Sequence, residues 1–293
     1  MTFEASEKSI SAGKLIEHVF KGLLSGQFGI TQVIIMPLLL MFGLYYLFFY
    51  LLAEVAQGQI SVAVASLGFI ASMVGMFIVL SRLYFNLIRI FLLGRDYATF
   101  WDGVPIFYNQ QTLKQKQLNT KGFGWRFFVF LLVTNLLVTQ ISNAIYVFGQ
   151  GSGGSPNLLV IMLGYWFSGM LFLTLAGVFA LPLAAKVTNL KDSPFWGGAY
   201  TKSGAQRIGV LQGAFFLGLV LMLPTLVYEL MYERMLSSVS AFSPLLLEAL
   251  FVSLGGIWRA VFAALIGASV YTQLFPDLKD EALEDEESDK MAA

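Results

Sequence analysis

Residues 256–268 of the chain read Gly256-Ile257-Trp258-Arg259-Ala260-Val261-Phe262-Ala263-Ala264-Leu265-Ile266-Gly267-Ala268. Small residues recur here at every fourth position, so they form one line along a helix. Such a line lets a second helix backbone approach closely, which is how helices pack when lipid surrounds them. The stretch therefore predicts a packing face, and either the same chain or a partner subunit supplies the neighbouring helix. The line consists of Gly256, Ala260, Ala264 and Ala268.

One charged residue lies within this stretch. Arg259 is near the middle of an apolar run over residues 245–271, where an unpaired cation costs several kcal/mol. Two roles are open: an ion pair that only fixes helix packing, or a side chain that lines a polar path. The candidate partners for an ion pair are Glu229, Glu248 and Glu54.

The composition of the whole chain is that of a polytopic membrane protein. Of its 293 residues, 57% are hydrophobic and 12% are charged, against about 25% charged in an ordinary soluble domain. The formal net charge is zero, so nothing favours nucleic acid as a partner. With no cysteine and the single histidine His18, neither a metal site nor thiolate chemistry is expected. We therefore expect no cofactor and no enzymatic activity.

Six apolar runs reach the length of about 20 residues that a helix needs to cross a bilayer. They predict an all-α integral membrane protein with six transmembrane helices arranged as three hairpins. Residues 1–29 would form a cytoplasmic or interfacial amphipathic segment, 30–271 the transmembrane domain, and 272–293 an acidic disordered tail. The runs are 30–52, 60–80, 126–148, 158–185, 208–230 and 245–271, and the second is predicted to continue helically to about residue 93.

The distribution of basic residues predicts the orientation. Of the 18 Lys and Arg, 3 precede the first run, 7 lie from residue 82 to 126, 4 from 186 to 207 and 2 in the tail. These segments all fall on one side of a six-span topology, whereas Arg234 alone falls on the other. By the positive-inside rule both termini are predicted to be cytoplasmic.

Two further groups of residues are candidates for contact with lipid headgroups. Arg82, Asn86 and Arg89 share one face of the extended second helix, where they either snorkel to the interface or bind an anionic substrate. The predicted cytoplasmic loops carry aromatic residues suited to the headgroup region, namely Phe100, Trp101, Phe195 and Trp196. Residues 9–24 form an amphipathic helix that lies in the membrane interface or caps the bundle.

A weak internal repeat suggests three related units. Residues 95–103 read Arg95-Asp96-Tyr97-Ala98-Thr99-Phe100-Trp101-Asp102-Gly103, and 191–198 read Lys191-Asp192-Ser193-Pro194-Phe195-Trp196-Gly197-Gly198. A fainter copy is Val19-Phe20-Lys21-Gly22. Each copy would introduce one helical hairpin.

Three stretches resemble a loose group of bacterial six-helix membrane proteins, which includes the membrane domain of glycerophosphodiester phosphodiesterases and several uncharacterised families. They are residues 94–103, the Phe179-Ala180-Leu181-Pro182 segment and residues 193–207. The resemblance implies the fold and a bacterial inner-membrane location. It does not imply hydrolysis, because the chain carries no phosphodiesterase domain.

Two functions fit these observations. The first is a non-catalytic accessory or scaffold module that binds another membrane protein, or a second copy of itself, through the small-residue line and the aromatic loops. The second is a small transporter or lipid-handling protein, with a polar path lined by Arg259 and by Arg82, Asn86 and Arg89. Membrane lipids are expected partners in both.

Overall fold

In the computed structural model the described residues form helices and short turns with no strand among them, which confirms the all-α class. These residues are 10–25, 27–93, 132–134, 136–137, 140–141, 144, 147, 158–187, 208–221, 223 and 244–274. We number the helices α1 Ala12–Ser25, α2 Gln27–Ala56, α3 Val62–Leu93, α4 Leu158–Val187, α5 Ile208–Leu221 and α6 Pro244–Leu274. The described positions between 132 and 147 are also helical.

Three of these helices are long and apolar enough to cross a membrane: α2, α3 and α6. They coincide with the first, second and sixth runs of the sequence, and α3 continues to Leu93 as predicted. Shorter apolar helical stretches, Met162–Leu175 and Ile208–Leu221, lie within the fourth and fifth runs. The copies of the repeat at 95–103 and 191–198 lie outside the described residues, as does the tail after residue 274.

A tight turn joins α2 to α3. Gly58 has a φ of 71°, a conformation that glycine adopts without steric cost. Its N–H donates to the Val55 carbonyl, and the N–H of Gln59 donates to the Glu54 carbonyl, which is the Schellman pattern that ends a helix. The Ser61 hydroxyl then accepts from the Val64 N–H at 3.4 Å and caps α3.

Helix α6 is the centre of the structure, because it packs against α1, α2, α3 and α4. Every residue from Ala260 to Tyr271 is buried. The Tyr84 hydroxyl of α3 donates to the Ala263 carbonyl at 3.3 Å, a contact that small neighbouring side chains permit. The predicted packing face is therefore occupied within the same chain over Ala260, Ala264 and Ala268. Gly256 is half-buried, with Met41 of α2 beside it.

Helix α1 caps the end of α6 instead of lying apart from the bundle. Leu15 and Val19 are fully buried on it. A hydrogen bond also joins the start of α1 to α6, because the Ser11 N–H donates to Gln273 Oε1 at 3.1 Å. Within α6, Gln273 Nε2 donates to Ser269 Oγ at 3.4 Å. Ser269 Oγ lies 3.3 Å from His18 Nδ1. Of the two roles open for the amphipathic segment, these contacts support the cap.

The exposed face of α1 is charged. Lys21 forms an ion pair with Glu17 one turn earlier. The hydrogen bond from Lys21 and its positive charge lower the pKa of the Glu17 carboxyl. Both side chains are exposed, so this pair stabilises the helix only slightly.

Replacing Gly209 by Ala is predicted to separate α1 from α5. A Cβ at position 209 would overlap the backbone carbonyl of Ile10, which has no freedom to rotate away. We expect a loss of at least about 1 kcal/mol, which lowers the melting temperature of the purified protein by about 2 °C or more.

The matched control is Gly43→Ala in the middle of α2, where the added Cβ meets no atom within 4 Å. This change is predicted to leave stability equal or slightly higher, since Ala favours a helix over Gly. Equal melting temperatures for the two variants would contradict the observed docking of α1.

Candidate functional site

Arg259 marks a change in the environment of α6. The helix is buried without interruption from Ala260 to Tyr271, but the Arg259 side chain is exposed. The preceding turn contains Gly255 and Gly256, both partly exposed. A Cβ at Gly255 would have no neighbour within 4 Å, so the surface next to the arginine is open. A cation with exposed surface in an apolar helix is a candidate binding site.

Tyrosines from two other helices lie near the guanidinium. Tyr45 of α2 and Tyr165 of α4 are within electrostatic range of Arg259, and both are half-buried. Helix α2 is antiparallel to α3, since Gly68 contacts Leu51 and Gly75 contacts Leu44. The sequence did not predict a role for these tyrosines, because the neighbour of a tyrosine within an apolar run depends on how the helices pack.

The directions of the helices bring Tyr45 and Arg259 together. Two contacts show that α3 is parallel to α6. Tyr84 meets Ala263, and further along both helices Phe91 and Leu265 lie against the same residue, Gly22. Because α2 is antiparallel to α3, it is also antiparallel to α6. Helical side chains slope toward the amino terminus of their own helix. Tyr45 and Arg259 consequently slope toward each other.

The acidic residues proposed as partners of Arg259 do not pair with it where the structure describes them. Glu248 is eleven residues earlier on the same helix, about 16 Å along the axis. Glu54 lies beyond Tyr50 at the far end of α2, where the two side chains are hydrogen-bonded. Glu229 lies outside the described residues. The ion pair expected from the sequence is thus not made with Glu248 or Glu54.

The stripe of Arg82, Asn86 and Arg89 is not at the lipid surface. Asn86 and Arg89 are each 1% exposed, and the Arg89 guanidinium lies 4.2 Å from the centroid of the Phe85 ring. Arg82 is half-buried. The burial of Asn86 and Arg89 counts against snorkelling to headgroups, which stays a prediction.

The burial of these residues follows from the packing of α3 against α2. Arg82 and Arg89 follow Gly68 and Gly75 at intervals of seven residues, so all four positions face α2. The same register places Arg82 opposite Pro37 and Arg89 opposite Ile30, which are both buried. This register places the stripe toward α2, and Asn86 and Arg89 lie in the packed interior of the bundle.

Phe100, Trp101, Phe195 and Trp196 lie outside the described residues. Within the described part of the chain no group of three His, Cys, Asp or Glu could hold a metal ion. Comparison with protein-family models, with curated proteins and with solved structures finds no match for this chain.

Single cysteine substitutions test whether water reaches the surface at Arg259. The chain contains no cysteine, so an introduced thiol is the only one present. We predict that Arg259→Cys reacts rapidly with a charged methanethiosulfonate reagent in proteoliposomes, because the reaction needs a thiolate and thiolates need water.

Two matched positions on α6 serve as controls. Leu254→Cys replaces a 43% exposed apolar residue, and Ala264→Cys replaces a fully buried one. Both are expected to react at least about tenfold more slowly, since lipid or protein excludes water there. A rate at position 259 no faster than at 254 would show that the arginine faces hydrocarbon.

Proposed function

We propose that this chain is a small lipid-handling protein, in which Arg259 binds the polar part of a lipid within the membrane. Arg259 supports the proposal, because it retains exposed surface at the centre of an apolar helix although atoms of the neighbouring helices crowd its charged end. Holding a cation there is costly unless water or a ligand solvates it.

The packing of α6 favours this function over a scaffold. The scaffold hypothesis used the small-residue line as the docking face for a partner, but Ala260, Ala264 and Ala268 are buried by helices of the same chain. The exposed large side chains of α2 and α3 are apolar, such as Leu39, Leu47, Leu67 and Ile70. An apolar exterior of this kind suits contact with acyl chains.

We further propose six transmembrane helices with both termini in the cytoplasm of a bacterial cell, in the inner membrane. The helical stretches within the fourth and fifth runs support this count. The excess of Lys and Arg in the segments on one side of that topology supports the orientation.

Lipid movement in vesicles tests the function. The intact protein is reconstituted with a trace of phospholipid that carries a fluorophore on its headgroup, and dithionite quenches the probe in the outer leaflet. We predict that vesicles containing the protein lose nearly all fluorescence, whereas empty vesicles stop near one half. Arg259→Leu is expected to slow the second phase at least about tenfold, corresponding to about 1.4 kcal/mol.

Leu254→Ala is the matched control, because it changes an exposed apolar residue of the same helix and is expected to leave the rate unchanged. A melting temperature for each variant confirms that it is folded. Wild-type vesicles that stop near one half, or an unchanged rate in folded Arg259→Leu, would contradict the proposal.

A further inference from the structure

Three aromatic rings form a column along one face of α2. Phe42, Tyr46 and Tyr50 follow one another by one helical turn, with ring centroids 6.5 Å and 6.4 Å apart and interplanar angles of 26° and 25°. Glu54 follows Tyr50 by one further turn, so its carboxylate continues the same face. The Tyr50 hydroxyl donates to that carboxylate, which keeps further acceptor sites for a ligand.

The column is turned away from the helices that pack on α2. Leu44 and Leu51 lie against α3, and Met41 lies against α6. Each ring of the column is at least about 100° around α2 from these three residues. Tyr50 is 44% exposed, and a Cβ added at Gly43, beside the column, would meet no atom within 4 Å. Open space therefore lies next to the rings.

Glu54 places a single negative charge at one end of this column. It is the only charged residue between positions 22 and 81, and the apolar span of α2 ends two residues later, at Ala56. The basic residues of α3, Arg82 and Arg89, are at least about 25 Å away along the helix axis. The α2–α3 hairpin thus has no cation of its own at this end, and a carboxylate at the edge of the lipid attracts one.

We propose that Glu54 and the column of Phe42, Tyr46 and Tyr50 bind a phospholipid that carries a primary ammonium, such as phosphatidylethanolamine. The ammonium has three N–H donors, and the carboxylate accepts a charge-assisted hydrogen bond from it. The exposed ring of Tyr50 attracts the same cation through its π face. This site goes beyond the proposed function, because Arg259 takes no part in it.

The rest of such a lipid also finds a matching surface on the hairpin. The rings extend about 18 Å from Glu54 toward the middle of α2, which suits an acyl chain. The exposed Leu39 and Leu47 widen this apolar surface on the same side. At the other end, the exposed amides of Gln57 and Gln59 follow the helix and provide uncharged donors for the phosphate.

Native mass spectrometry of the intact protein tests the site. The protein in a mild detergent is titrated separately with phosphatidylethanolamine, N-acetylated phosphatidylethanolamine and phosphatidylglycerol. Acetylation removes the ammonium and leaves the phosphate and acyl chains in place. We predict that the wild type retains phosphatidylethanolamine at least about tenfold more tightly than the acetylated lipid, because a hydrogen bond between charged groups is lost.

Variants of the two polar residues locate the binding. Glu54→Gln keeps the shape of the side chain but not its charge, so it is expected to weaken retention of phosphatidylethanolamine about tenfold and to leave that of phosphatidylglycerol unchanged. This comparison separates the site from any lipid held at Arg259. Tyr50→Leu removes the ring and should weaken retention about fivefold, whereas Tyr50→Phe keeps the ring and most of the binding.

Glu248→Gln is the matched control, because it removes a carboxylate at the same end of the bundle but outside the column. It is expected to leave retention of all three lipids unchanged, and melting temperatures verify that each variant is folded. Equal retention of the two ethanolamine lipids by the wild type would overturn the site. So would a folded Glu54→Gln variant that behaves like Glu248→Gln.

Discussion

Close approach of helix backbones to the second half of α6 is the constraint on which this structure depends. Within lipid, burying an apolar side chain gains little, so helices associate through van der Waals packing of small residues and through hydrogen bonds. Ala263 and Ala264 are almost completely buried, and the Tyr84 hydroxyl reaches the backbone beside them. Helices α1, α2, α3 and α4 all gather on this one helix.

The same constraint explains why the other half of α6 differs. Continuous burial ends at Ala260, and the next residue toward the amino terminus is the exposed Arg259. Beyond it only one face of α6 stays buried, at Ala249, Ser253 and Ile257. A helix that is fully enclosed along its whole length offers no access to a ligand. In α6, the fully buried half provides a rigid support, and the partly exposed half provides a surface that a ligand can reach. Preorganised donors on rigid helices are what selective binding of an anion requires.

The sequence predicted features that depend on one helix at a time. The helical class, the extension of α3 to Leu93 and the close-packing line on α6 follow from apolar run length and from the four-residue spacing of small side chains. The sequence did not predict which neighbour each face meets. Arg82, Asn86 and Arg89 were correctly placed on one face, but whether that face meets α2 or lipid depends on interhelical register, which Gly68 and Gly75 set.

The candidate site was predictable only in part for the same reason. Arg259 stands out because a charge in an apolar run is costly. Tyr45 and Tyr165 do not stand out, as they are two of 12 tyrosines in the chain, and their proximity to Arg259 arises from the packing of three separate helices. The docking of α1 likewise depends on contacts of Ser11 and His18 with residues more than 250 positions away.

The most direct test of this account is the distance from Arg259 to a lipid phosphorus atom. Solid-state NMR of the arginine-¹⁵N-labelled protein in phosphatidylglycerol-containing bilayers measures ¹⁵N–³¹P dipolar dephasing of the guanidinium signals. We predict that Arg259 contributes strongly dephased guanidinium signals, because its N–H groups are hydrogen-bonded to a phosphate, and that this contribution is lost in Arg259→Lys while that of the other arginines remains. Dephasing that is equal in the wild type and in Arg259→Lys would contradict it.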